Sequence, residues 1–111
     1  MKIENHDNFV VLTDEQNNLE KFASFLEFQI PNKFKGQSVI VNLLAIKDLS
    51  LVDLLLFLKV SNIHRGNNHS FVLINDSFNP DDLPSEMNVV PTLQEAEDIV
   101  EMEDIERELG F

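Results

Sequence analysis

The sequence contains no cysteine, tryptophan or tyrosine, and it has three glycines in 111 residues. Without cysteine there is no disulfide framework, no thiolate metal site and no thiol nucleophile. The scattered glycines exclude the phosphate loops of P-loop and dinucleotide-binding proteins. Neither a Gly-x-Ser-x-Gly elbow nor a His-Glu-x-x-His motif occurs. These absences favour a non-enzymatic protein, and we expect no catalytic residue, no cofactor and no metal site.

Basic residues are scarce in the last third of the chain. Residues 1–75 contain eight acidic and seven basic residues, whereas residues 76–111 contain twelve acidic residues and a single base, Arg107. Almost all of the net charge of −12 therefore lies near the C-terminus. Such a face repels nucleic acid and anionic membranes and attracts a basic protein partner. The alternative is a solvated face that only maintains solubility.

Long apolar runs are also missing. The N-terminal residues MKIENHDNFV lack the apolar centre of a signal peptide. The most apolar segment, residues 51–60, is interrupted by Asp53 and Lys59 and is too short to cross a bilayer. We therefore expect a cytoplasmic protein with one domain over residues 1–111, as a monomer or a weak homodimer.

The apolar residues that are present form a pattern centred on residues 38–76. Residues 38–43 and 71–75 are rich in Val, Ile and Leu, as buried strands are, and residues 51–63 between them have the length of a helix. This order predicts a parallel βαβ unit. The helix is apolar nearly all round, so either another helix or a second subunit should cover it. Gly66 is expected just past its end.

Before this unit, residues 1–5 and 9–13 predict either a hairpin or one bent edge strand. A helix should then begin at an Asp14 cap and stop at Pro31. Phe25 and Phe28 lie off its apolar stripe, so they belong either to the edge of the core or to an exposed patch. The stripe itself consists of Leu19, Phe22, Ala23, Leu26 and Ile30.

The C-terminal segment predicts a short strand at residues 87–90 and an acidic helix at about residues 92–109. Thr92 and Glu95 have the spacing of a capping box at its start. The last turns of this helix either project from the domain or fray, because its acidic side chains repel one another at i,i+4 spacing. We assign an acidic face to this helix, formed by Glu97, Asp98, Glu101, Asp104 and Glu108.

The order of elements resembles the STAS domain, the fold of bacterial anti-sigma factor antagonists. The resemblance is carried by SVIVNL, AIKDLSLVDLLLFL, FVLIND and VVPTLQEAEDIV. It implies an α/β fold: a small mixed sheet of four to five strands with parallel central strands and helices mainly on one face. In that family a loop Asp-Ser-Ser-Gly opens a helix, and a partner kinase phosphorylates the second serine to switch partner binding.

By this resemblance, Asp48 corresponds to the aspartate of the family's loop, and Ser50 corresponds to the phosphorylated serine. Leu49 and Leu51 depart from the family's serine and glycine, and Leu51 puts a bulky side chain where a kinase approaches. Ser50 therefore has two interpretations. It is either a simple N-cap, in a capping box with Asp53, or a phosphorylation switch at the start of the central helix.

The leading hypothesis is a non-catalytic, STAS-like regulatory module that binds another protein, a kinase or an anti-sigma-like protein, through Asp48, Ser50, Leu51 and Asp53. A second hypothesis is an acidic adaptor that docks its C-terminal helix onto a basic protein surface. The third is a small enzyme that uses carboxylates or a metal at His64 and His69.

Short chains of this kind are sometimes called ribonuclease Z. That enzyme type needs a His-x-His-x-Asp-His cluster to hold two zinc ions. The three histidines of this chain are scattered and form no such cluster, so the residues do not support that assignment.

Overall fold

The structure is a computed structural model that describes residues 1–110. Its centre is a five-stranded sheet in which neighbouring strands follow chain order. The first two strands are antiparallel and all later neighbours are parallel, which confirms the predicted mixed sheet. The strands are β1 Lys2–Asn5, β2 Phe9–Thr13, β3 Ser38–Asn42, β4 Phe71–Ile74 and β5 Asn88–Val90.

The N-terminal strands form a hairpin, which is one of the two arrangements that the sequence left open. Ile3 lies opposite Leu12, and the amide of His6 donates to the carbonyl of Phe9 at 2.9 Å across the turn. In this register Ile3 and Leu12 both face the larger core. The hairpin therefore extends the parallel sheet by one strand at its β2 edge.

Four α-helices within residues 1–110 cover the two faces of the sheet unequally: α1 Leu19–Lys33, α2 Leu51–Leu55, α3 Leu58–Gly66 and α4 Leu93–Glu108. The first three pack on one face, and α4 covers the other. Alternate strand residues point to each side, as the two-residue period of a strand requires. Towards α1–α3 point Val10, Leu12, Val39, Val41, Phe71 and Leu73, and towards α4 point Val11, Ile40, Val72 and Ile74. Helices mainly on one face were predicted, and this is confirmed.

The start of α1 differs from the prediction. The N-cap is Asn18, whose side-chain oxygen accepts from the amide of Lys21 at 3.0 Å. Asp14 instead closes the preceding turn, where its carboxylate accepts from the amides of Gln16 and Asn18. Asx side chains stabilise turns and caps equally well, so the sequence alone placed the cap one turn too early.

The end of α1 also differs, because the helix passes through Pro31 and ends at Lys33. A proline removes one backbone donor, but only two helical residues follow it here. The last turn is held by Phe34, whose amide donates to the carbonyl of Ile30 at 3.1 Å. The predicted inner stripe of α1 is buried, apart from the half-buried Leu19, whereas Phe25 and Phe28 are exposed.

The central helix is two helices rather than one. The amides of Leu56 and Phe57 donate to carbonyls three residues earlier, at 3.2 and 3.0 Å, which tightens the chain between α2 and α3. This turn points Phe57 into the core, where its ring meets Phe22 edge-on at 6.3 Å. Gly66 is the last residue of α3, and the left-handed position that follows is taken by Asn68, at φ 66°.

In the part of the chain that the structure describes, no helix has the length and apolar character needed to cross a membrane.

Candidate functional site

The candidate site lies where β3 and β4 end, at the carboxyl edge of the parallel strands. The chain leaves β3 after Asn42 and crosses this edge through residues 43–50 before α2 begins. Loops at this edge of an open α/β sheet are the usual place for binding sites, because the strands and helices beneath hold them in position. All four predicted site residues, Asp48, Ser50, Leu51 and Asp53, lie in this loop or in α2.

Asn75 fixes the conformation of this loop. It directly follows β4 and is 3% exposed. Its side-chain amide donates to the carbonyls of Leu43 and Ile46, at 2.8 and 2.9 Å. Its side-chain oxygen accepts from the amide of Ser77 at 2.9 Å. One buried side chain thus joins the β3–α2 loop to the segment after β4, and each of its polar atoms is paired.

A second contact fastens the two loops together. The hydroxyl of Ser77 donates to the carbonyl of Lys47 at 2.6 Å. Lys47 directly precedes the predicted site residue Asp48, so this bond anchors the start of the site. Sequence reasoning missed both Asn75 and Ser77. A polar residue directly after a buried strand, at this edge of the sheet, is the signal that could have found Asn75.

Ser50 and Asp53 form the predicted capping box, and this prediction is confirmed. The hydroxyl of Ser50 accepts from the amide of Asp53, and the carboxylate of Asp53 accepts from the amide of Ser50, both at 3.1 Å. Ser50 and Asp48 are exposed, whereas Leu49 between them is buried. Leu49 therefore anchors this end of the loop in the core, and the two polar residues on either side of it face solvent.

Helix α2 presents an apolar surface next to Ser50. Leu54 points into the core and is fully buried, but Leu51, Val52 and Leu55 are 43%, 73% and 51% exposed. We call these three exposed residues the α2 patch. Neither a helix nor the sheet covers it within residues 1–110. Of the two covers expected for this segment, another helix is therefore not found over the α2 patch, and a second subunit stays a prediction. Leu51 is among the partner-binding residues predicted from the sequence, whereas Val52 and Leu55 are not.

The residues of the predicted acidic face of α4 differ in their exposure to solvent. Asp98, Glu101 and Glu108 are exposed, whereas Glu97 and Asp104 are half-buried. Asp104 is also paired, because its carboxylate accepts from the Arg107 guanidinium at 2.5 Å. The acidic residues of α4 therefore lie on several sides of the helix, and they are separate from the loop site at the end of β3.

His64 and His69 lie at the opposite, amino-terminal end of β4. Their rings stack with centroids 5.3 Å apart, and Nε2 of His64 lies 2.5 Å from the carbonyl of Gln37. Burial lowers the pKa of His64 below its usual range, the hydrogen bond to Gln37 opposes this, and the charge of His69 adds to the lowering. Among residues 1–110 no three histidine, aspartate or glutamate side chains are grouped closely enough to hold a metal ion.

This arrangement is suited to recognition of a surface. The loop is rigid, a capped helix follows it, and the exposed side chains are apolar on α2 and polar at Asp48 and Ser50. A pocket of about 190 Å³ lies elsewhere, beside the start of α1, where Met1, Phe22 and Phe25 contribute to its walls. The candidate site itself is an exposed helix and loop, which a protein can cover.

The fold has a counterpart among solved structures. The NMR structure of the protein TM1081 superposes with a TM-score of 0.63, at 17% sequence identity, over 89% of this chain and 86% of that one. At this identity the likeness shows a shared small α/β fold and nothing of function. No protein-family model matches the sequence, and comparison with curated proteins finds no match either.

Proposed function

We propose that this protein is a non-catalytic, STAS-like module that binds another protein through the β3–α2 loop and the α2 patch. The observation that carries the proposal is the exposure of Leu51, Val52 and Leu55 beside a loop that Asn75 holds rigid. Exposed apolar side chains that lie together mark contact sites for other macromolecules. A rigid surface loses little conformational freedom on binding, which favours affinity.

The finer, STAS-like part of the proposal rests on the element order and on the positions of Asp48 and Ser50. The five-strand sheet with its parallel strands is compatible with that family. Ser50 is exposed and sits at the edge of the α2 patch, so a modification there would lie within a bound partner's footprint. In this proposal Ser50 is the point at which binding is regulated.

Phosphorylation of Ser50 would act by disrupting the local structure. The Ser50 hydroxyl accepts from the amide of Asp53, and the Asp53 carboxylate lies 3.1 Å from the amide of Ser50. A phosphate at this point brings like charge against that carboxylate, which opposes the capping box. Helix α2 has five residues, so its dipole offers little compensation. The modified protein would therefore present the α2 patch differently.

The test is affinity capture from the native cell lysate with three baits: the unmodified protein, Val52→Glu and Phe28→Glu. Val52 and Phe28 are 73% and 66% exposed, so both changes should leave the fold intact, but they lie on different helices. We expect one protein to be retained by the unmodified and Phe28→Glu baits and reduced about tenfold or more with Val52→Glu, because a buried charge opposes the contact.

A bait with phosphoserine at position 50 tests the regulatory part separately. Altered recovery of the same captured protein would support Ser50 as a switch, and unchanged recovery would leave it as a cap only. If no captured protein depends on Val52, or if Phe28→Glu removes the same protein, the α2 patch is not the binding surface and the proposal fails.

A further inference from the structure

We infer that the outer face of α4 is a second binding surface, and that its partner is a basic amphipathic helix of another protein. The surface consists of three apolar side chains, Met102, Ile105 and Leu109, which we call the α4 stripe. They are 54%, 49% and 66% exposed. Their spacing of three and seven residues places them on one side of the helix.

The α4 stripe points away from the molecule. The sides of α4 that pack on the sheet are formed by Ala96 and Val100, which are fully buried. At 100° per residue the stripe lies on the opposite side of the helix from these two residues. A surface helix normally turns its apolar side inward, so this outward stripe is a surface that residues 1–110 leave uncovered.

Polar contacts hold the C-terminal half of α4 in this orientation. The hydroxyl of Ser70, which is fully buried, donates to Glu103 at 2.6 Å and accepts from Arg107 at 3.1 Å. Arg107 also donates to Asp104, and Asn88 donates to Glu103 at 3.4 Å. These bonds direct the polar side of the helix toward β4 and β5. The stripe is therefore held outward. A rotation of the helix that buried it would break this partly buried network of hydrogen bonds.

Charge defines the class of partner. Acidic side chains border the stripe, with Asp98, Glu101, Glu106 and Glu108 all exposed. Beside it, Asn8 and α4 enclose a groove of about 390 Å³, to which Ile105, Glu101 and Glu108 contribute. A second copy of this chain would bring the same acidic border and be repelled, as would an anionic membrane. A helix with leucine-like side chains on one side and lysine or arginine on its flanks matches both the stripe and its border.

The test uses a synthetic peptide of about 14 residues that forms an amphipathic helix with leucines on one side and lysines flanking them. Two control peptides are used. One has the same composition in scrambled order, and the other has glutamate in place of each lysine. Binding is measured by fluorescence anisotropy and located by amide chemical shifts in the full chain. We expect the affinity to fall about tenfold or more for Ile105→Ser and for both control peptides, and to stay within about twofold for Phe28→Ser.

A double variant, Glu101→Gln with Glu108→Gln, separates charge from apolar contact. It should weaken binding of the lysine peptide several-fold at low salt and reduce the salt dependence of binding. Equal binding of the scrambled peptide, full retention of affinity by Ile105→Ser, or shifts centred on α2 would overturn the inference. The inference would also be overturned if the protein forms a dimer and Ile105→Ser abolishes that dimer. Val52→Glu serves as a further control, because it should leave this peptide's affinity unchanged while it impairs the partner binding proposed for α2.

Discussion

A single buried histidine connects the stability of this protein to pH. His64 is 1% exposed, its Nε2 lies 2.5 Å from the Gln37 carbonyl, and its ring contacts those of His69 and Phe71. Burial is the main cause that lowers its pKa in the folded protein. The unfolded chain therefore binds this proton at a higher pH than the folded chain does, and acidification favours unfolding.

We expect the free energy of unfolding to fall as the pH decreases below about 6.5, the usual pKa of histidine. The contribution of His64 to this fall ends once the pH is below its pKa in the folded protein. The slope contributed by one proton is at most about 1.4 kcal/mol per pH unit. Urea denaturation between about pH 8 and pH 5 measures it. His64→Gln should reduce the slope, whereas Ser24→Ala, on the exposed side of α1, should leave it unchanged. Equal slopes in the wild type and in His64→Gln would contradict this account.

Helix α2 is the shortest α-helix of residues 1–110, and a capping box holds its first turn. It has five residues, and without its capping box only tertiary contacts such as those of Leu54 would hold it. Isolated helices of this length do not form in water, so the cap and the buried Leu54 act together.

Ser50→Ala should therefore lower the free energy of unfolding by about 1 kcal/mol. Ser50→Asp should lower it by less, because aspartate is itself a good N-cap and can accept from the amide of Asp53. Ser50→Asp therefore preserves the N-cap and is a poor mimic of a phosphate. Phosphoserine is for that reason the appropriate modification in the binding test. Urea denaturation checks both values, and Ser24→Ala on the exposed side of α1 is the matched control, expected within about 0.5 kcal/mol. A Ser50→Ala protein as stable as the control would show that the cap contributes nothing.

At the scale of the whole molecule, the charge imbalance works against folding. The net charge is −12, and within residues 1–110 three ion pairs form, of which Arg107–Asp104 is the one on α4. The remaining acids of α4 repel one another along the helix. Added salt screens this repulsion.

We expect the free energy of unfolding to rise by about 0.5–1 kcal/mol when NaCl is increased from about 0.05 M to about 0.5 M. The double variant Glu101→Gln with Glu108→Gln should be more stable at low salt and should respond less to NaCl. Denaturant titrations at several salt concentrations provide the measurement. A decrease of stability with salt would show that the exposed ion pairs outweigh the repulsion.

The sequence by itself determined the features that depend on neighbours in the chain. Short runs rich in Val, Ile and Leu predicted the central strands, and apolar residues three to four apart predicted the buried stripe of α1. Ser50 with Asp53 predicted a capping box that forms as expected. The capping box needs only contacts within about four residues. Strands and the α1 stripe form distant contacts, but their positions are marked by local apolar patterns, so the sequence is sufficient to place them. The charge imbalance is likewise a property of composition.

Tertiary structure decided which sides of the helices are covered. Phe57 turns into the core against Phe22 and divides the central helix. The burial of Ile30 and Phe34 in the same core keeps α1 helical past Pro31. Asn75 becomes a loop anchor because β3 and β4 end side by side, 32 residues apart in the chain at the bond to Leu43. The α2 patch and the α4 stripe are exposed for the same reason. Whether an apolar residue is buried depends on which distant elements pack against it, and local periodicity does not contain that information.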